Sequence, residues 1–123
     1  MYDQLAQLAQ HEFSDIVVGH VILGRRASAP LKLRLHLRDG TFIDIWLSPD
    51  QQRYAYHWEQ RAVRGSIHRH DNAPDHPHIS TFPKHFHNGS EENLEPSAIS
   101  SDPKVAVREF LSFVRRLLNE LDR

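Results

Sequence analysis

The chain has 123 residues, 39% hydrophobic and 25% charged, with a formal net charge of −1 when its 10 histidines are counted as neutral. That length supports one core, so a single domain over residues 1–123 is expected, and the near-neutral charge argues against a bulk nucleic-acid binder. Cysteine is absent, which excludes disulfides, a thiol nucleophile and thiolate metal sites. The opening stretch MYDQLAQLAQHEF has neither a cationic start nor a continuous apolar run, and no segment approaches the roughly 18 apolar residues of a membrane span. A soluble cytoplasmic protein without membrane contact is expected.

Leu5, Leu8, Ala9 and Phe13 share a helical face, predicting a short helix over residues 2–13. The β-branched run DIVVGHVIL at 15–23 predicts a buried strand. Residues 31–38 then alternate strictly, Leu31, Leu33, Leu35 and Leu37 against Lys32, Arg34, His36 and Arg38, as in a strand buried on one side. With Arg25 and Arg26, these residues give five cations and no acid between Arg25 and Arg38. Such a patch attracts phosphate, but alternating cations are also what a solvated strand face carries, and that reading is preferred.

The partner strand spans Thr41–Leu47. A two-residue turn at Asp39-Gly40 would mix apolar and polar faces, whereas a three-residue loop with Gly40 left-handed pairs Leu35 with Ile43, Leu33 with Ile45, Leu31 with Leu47 and Arg34 with Asp44. A fourth strand, about Arg53 to Arg61, sets Tyr54, Tyr56 and Trp58 on one core-facing side. The same loop type at Val63-Arg64-Gly65 pairs Glu59 with Arg69, Trp58 with His70 and His57 with Asp71. The expected fold is therefore α+β, an antiparallel meander of about five strands flanked by a short N-terminal helix and a C-terminal amphipathic helix.

Residues 72–101 contain Pro74, Pro77, Pro83 and Pro96 and show no helical or strand period. A connection that long is uncommon unless it is functional or disordered. The stretch after Asn88 is acidic and polar, as disorder requires, whereas Ile79, Phe82 and Phe86 favour an ordered loop packed across the sheet over 72–87. The last helix starts with Asp102 as cap and Pro103 in the first turn, and presents Val107, Phe110, Leu111, Val114, Leu117, Leu118 and Leu121 on one face. Lys104, Arg108, Arg115 and Arg116 are read as its solvated face.

Six of the histidines fall between His68 and His87, in the pairs His68/His70, His76/His78 and His85/His87. Histidine titrates near neutrality and ligates metals, so chemistry is expected in this segment. The favoured chemistry is RNA cleavage without a metal or other cofactor. His70 or His76 would take the 2′-hydroxyl proton, His85 or His87 would protonate the leaving oxygen, Arg69 or Lys84 would stabilise the phosphorane, and Asp71 would orient an imidazole. Asn72 belongs to the adjacent turn and is counted among the substrate-binding residues, and Phe82 or Phe86 would stack a base. A second reading has His68/His70 or His85/His87 chelate a metal with Asp71 or Glu91, as in a metal-dependent hydrolase, although no spacing of the HExxH kind is present. A third makes the segment a surface loop whose rings cap backbone groups, which suits a binding module. His11, His20 and His36 stand alone and are read as structural or exposed.

The succession RDG-T-F, Y-x-Y-H-W-E-x-R, H-R-H-D-N-A-P, H-P-H-I-x-T-F-P-K-H-F-H-x-G and a P-S before the last helix resembles the TumE family of toxin components of bacterial toxin–antitoxin pairs. The likeness runs from about Leu31 to Ser97 and is densest over Arg69 to Gly89. It departs where Asp75-His76 follows the DNAP turn in place of a histidine pair. The resemblance implies a small toxin with an antitoxin encoded nearby. It leaves open whether the toxin is an RNA-cleaving enzyme or inhibits by docking, and implies nothing of oligomeric state.

Overall fold

The computed structural model describes residues 1–24, 26 and 30–123. Helix α1 (Tyr2–Glu12) leads into β1 (Val17–Gly24), β2 (Pro30–Leu37), β3 (Phe42–Leu47) and β4 (Tyr54–Gln60). One helical turn, α2 (Arg61–Arg64), connects to β5 (Ser66–Asp71), and β6 (His85–Gly89), β7 (Leu94–Pro96) and α3 (Pro103–Leu121) follow. The strands form one antiparallel sheet in chain order, β1 to β7.

The sheet divides its side chains by period. Leu33, Leu35, Ile43, Ile45, Tyr56 and Trp58 are buried on one face, in a cluster that also takes in residues of α1 and α3. Each aliphatic side chain so buried contributes about 1.5–3 kcal/mol relative to exposure. Asp102 caps α3 by accepting a hydrogen bond from the Lys104 amide, as its sequence predicts. The cations of α3 lie on its solvated face as expected, with Lys104, Arg108 and Arg116 exposed, and there Arg108 pairs with Glu12 and Arg115 with Asp15. Leu121, assigned to the buried stripe, is 56% exposed at the helix end.

The β2–β3 hairpin has the expected register, with Leu33 opposite Ile45, Arg34 opposite Asp44 and Leu35 opposite Ile43. Gly40 is left-handed at φ 88°. Pairing in this hairpin is found from Leu33 to His36, and Leu31, expected opposite Leu47, is 59% exposed. Of the cationic patch, Lys32 and Arg34 share Asp44, and Arg38 binds Asp122. Arg25 lies outside the described residues.

The β4–β5 register differs from expectation by two residues. Glu59 faces Ile67, Trp58 faces His68, His57 faces Arg69 and Ala55 faces Asp71. The cause is α2: the connection is a helical turn closed by Gly65 at φ 72°, five residues where a three-residue loop was expected. A shift of two preserves the period, so every side chain keeps its expected face.

The sheet has seven strands where about five were expected, because two form within the Pro/His-rich stretch. His85–Gly89 pairs with β5 and Leu94–Pro96 with β6. The segment after Asn88, expected to be disordered, thus adds an edge strand and buries Ser97 and Ile99. Residues 72–84 form an ordered loop of successive turns.

Candidate functional site

Period two sends Arg69 and Asp71 of β5 to the face opposite the helices, together with His85 and His87 of β6. The ladder sets Asp71 beside His85 and Arg69 beside His87. The loop 72–84 leaves the sheet after Asp71 and returns at His85, bringing His76 over the pair. Its ring centroid is 4.8 Å from that of His85 and 6.0 Å from that of His87, and the His85 and His87 rings are 4.9 Å apart. One ring nitrogen from each of the three lies within 4.8 Å of the others. His85 and His87 are buried, and the cluster opens into a pocket of about 390 Å³ whose walls include Trp46, Arg53 and Asp75.

Backbone carbonyls fix both buried rings. Nδ1 of His85 donates to the Pro83 carbonyl at 3.1 Å, and Nδ1 of His87 to the Glu91 carbonyl at 2.8 Å. A carbonyl only accepts, so Nδ1 carries the hydrogen and a neutral ring keeps its lone pair on Nε2. Both Nε2 atoms face Asp71, at 3.0 Å for His85 and 3.7 Å for His87. Asp71 is held by the Ala73 amide at 3.0 Å and by Arg69 Nε at 3.1 Å.

Arg69 joins this cluster to a second layer. It grips Glu91 through two hydrogen bonds of 2.8 and 2.7 Å and donates to Nδ1 of His57 at 3.2 Å. The Arg69 hydrogen bonds hold Glu91 down at about 2. The Arg61 hydrogen bond does the same for Glu59, also at about 2. Burial lowers His57 and His87 below the ordinary imidazole value. The whole face is thus a balanced ionic layer in which Arg69 is engaged on every side.

The expected site residues divide between the two faces. Asp71, His76, His85 and His87 come together, with Arg69 as their ionic partner. His70 lies on the helix side, stacked on Phe86 at 4.2 Å and hydrogen-bonded through Nδ1 to Ser97 Oγ at 2.7 Å. Burial pushes it down to about 4. Phe86 is 8% exposed in the same stack and has no free face for a base. Lys84 donates to the Ile99 carbonyl at 2.7 Å, beside a separate cleft with Tyr54 and Ser101. Asn72 closes the end of the β4–β5 ladder, accepting from the Tyr54 amide and donating to the Gln52 carbonyl. Phe82 is 44% exposed on the loop and does not line the pocket.

Among the pocket residues not anticipated are Trp46, Arg53 and Tyr54. Trp46 alternates with Ile45 and Leu47, so the β3 pattern itself points its ring to the open face, where it is 41% exposed. The Tyr54 hydroxyl is buried without a hydrogen-bond partner among the described residues, and burial pushes it up to about 12. Among the described residues, no helix is long and apolar enough to cross a membrane.

No curated protein and no solved structure matches the chain. The family described as toxin TumE matches residues 5–118, which takes in most of α1, the whole sheet, the histidine cluster and nearly all of α3. The match is far wider than the stretch that carries the resemblance in the sequence, and the chain belongs to the TumE family of toxins.

Proposed function

We propose that this toxin arrests growth by cleaving RNA in the pocket above Asp71, and that an antitoxin encoded nearby restrains it as in a type II pair. The observation that carries this reading is the convergence of His76, His85 and His87 with Asp71 at the base of a pocket that is open to solvent. Phosphodiester cleavage requires an oxygen nucleophile to be activated beside a phosphate whose charge is balanced. The imidazole cluster serves the first need, by a route that the spacing of its nitrogens decides. Arg53 supports the second, since Arg69 is already committed to Asp71 and Glu91. Trp46 offers a partly exposed aromatic face on which a base can stack.

His70 is one of the expected bases, and this reading leaves it out because its ring stacks among the helix-side aromatics. The work falls to the three histidines of the open face. The test is to profile total RNA soon after induction of the wild-type chain and of His85→Ala. Discrete new 5′ ends with wild type, absent with the variant, are expected. Growth arrest with an unchanged RNA profile would refute cleavage and leave inhibition by docking.

A further inference from the structure

The cluster is too tight for the metal-free chemistry expected from its sequence. In an in-line displacement the attacking and leaving oxygens lie on opposite sides of phosphorus, and each proton carrier stands about 3 Å beyond its oxygen. Two imidazoles that straddle a phosphate are therefore farther apart than the 4.8 Å that encloses all three ring nitrogens here. These nitrogens surround a point. They do not bracket a substrate.

A second observation concerns what lies between them. With Nδ1 of His85 and His87 donating to carbonyls, each Nε2 is turned towards a carboxylate oxygen of Asp71, at 3.0 Å for His85. A ring nitrogen in contact with a carboxylate oxygen carries either a proton or a metal ion, so an ion here would bind in competition with protons. A backbone acceptor on the far nitrogen is also the device that orients and polarises metal-bound histidines. The third nitrogen comes from His76, on the loop that closes the cluster.

We propose that His76, His85 and His87 bind one divalent transition-metal ion at the base of the pocket, with Asp71 supplying negative charge beside it. Three imidazoles and no thiolate suit zinc, cobalt or nickel and disfavour magnesium and calcium, which take oxygen ligands. Each nitrogen would approach to about 2.0–2.1 Å, a contraction that the His76 loop can supply. The side of the ion that faces the pocket stays open, beneath Arg53 and Trp46. Binding stands on this geometry alone. The use of the ion, to hold an RNA phosphate or the attacking oxygen, rests on the RNA-cleavage reading.

The experiment uses the full chain, made without an immobilised-metal column, stripped with chelator and titrated with zinc chloride by calorimetry. Cobalt(II) absorption reports the coordination. One ion per chain is expected, with the visible bands of a low-coordinate cobalt site. His76→Ala should weaken zinc binding about 100-fold or more while circular dichroism stays unchanged, because His76 sits on the loop outside the sheet. His85→Gln gives a second reading, should its fold also hold. No stoichiometric binding by folded wild type overturns the proposal. So does binding unchanged in His76→Ala, which would place the ion on other histidines. RNA cleavage by the stripped protein in chelator would also overturn the ion's role while upholding cleavage. Zinc bound through His76 with RNA left intact would uphold the site and refute cleavage.

Discussion

The pairs His68/His70 and His85/His87 share a spacing and stand on neighbouring strands of one hairpin, yet their surroundings are opposite. His68 is stacked against Trp58 at 5.4 Å and met edge-on by Phe113 at 5.3 Å, while His70 stacks on Phe86 and meets Phe110 at 5.8 Å. Their hydrogen bonds go to side chains, Gln60 and Ser97. They act as aromatic core residues with a polar edge, each contact adding about 0.5–1.5 kcal/mol beyond area burial. His85 and His87 instead spend one nitrogen on a backbone carbonyl and turn the other to a carboxylate and a pocket. A histidine's function here follows from what holds each nitrogen, and the His-x-His spacing is silent on that.

The hardest test exchanges the two pairs' fates. His85→Gln should abolish growth arrest and lower RNA cleavage by at least about 100-fold, whereas His70→Phe should keep arrest because its ring stacks on the helix side and its one side-chain hydrogen bond goes to Ser97. Titrated induction in liquid culture measures both. Loss of arrest in a folded His70→Phe protein would show that the helix-side pair takes part.

A second test uses pH, where His70 has the largest shift. Burial lowers His70 from its ordinary 6.5 to about 4, so between those values the unfolded chain holds a proton that the folded one does not. Its contribution is full above about pH 6.5 and falls as the pH drops towards 4, by about 3 kcal/mol in all. Urea unfolding at several pH values should show this decline, and His70→Phe should lessen it, the remainder belonging to His57, His68 and His87, which burial also lowers. An unchanged slope would mean that another group carries it.

A smaller effect is expected at the pocket wall. Trp46→Ala should weaken RNA binding about 10-fold and leave the melting temperature nearly unchanged, because a stacked base contributes about 1–3 kcal/mol. Competition binding with a short single-stranded RNA measures it. Equal affinity would remove Trp46 from recognition. The smallest effect falls on both pairs alike. Gly65 is left-handed and a Cβ there would meet nothing within 4 Å, so Gly65→Val should cost about 1 kcal/mol through the backbone alone. A larger loss of activity than of stability would show that this turn tunes the register of β5.

Much of the frame is readable from residue patterns. Strict alternation over Leu31–Arg38 fixes the β2–β3 register, and Asp102-Pro103 marks the start of α3 within a residue. The β4–β5 register is not readable in the same way, because Arg61-Ala62-Val63-Arg64 looks like the end of a strand and its helical turn is stabilised from outside, by Arg64 pairing with Asp39. Strands β6 and β7 are hidden by brevity and by proline, although Asn88-Gly89 is a hairpin signal and Gly89 is left-handed at φ 90°. For the site, the segment and four of its members are legible, but the faces needed more care. Period two already separates His70 from Asp71, so both cannot serve one pocket. The approach of His76 depends on loop turns that no pattern announces.

The loop that carries His76 begins and ends on directly paired residues, Asp71 and His85. Its two feet are therefore clamped by the sheet whatever lies between them. Lengthening such a closed excursion costs little, about 0.6 kcal/mol for each doubling of its length. The chemistry at the feet and the selectivity along the span can then change separately over evolution. A longer or differently sequenced span would leave the pairing of Asp71 with His85 in place, much as interchangeable heads fit one handle.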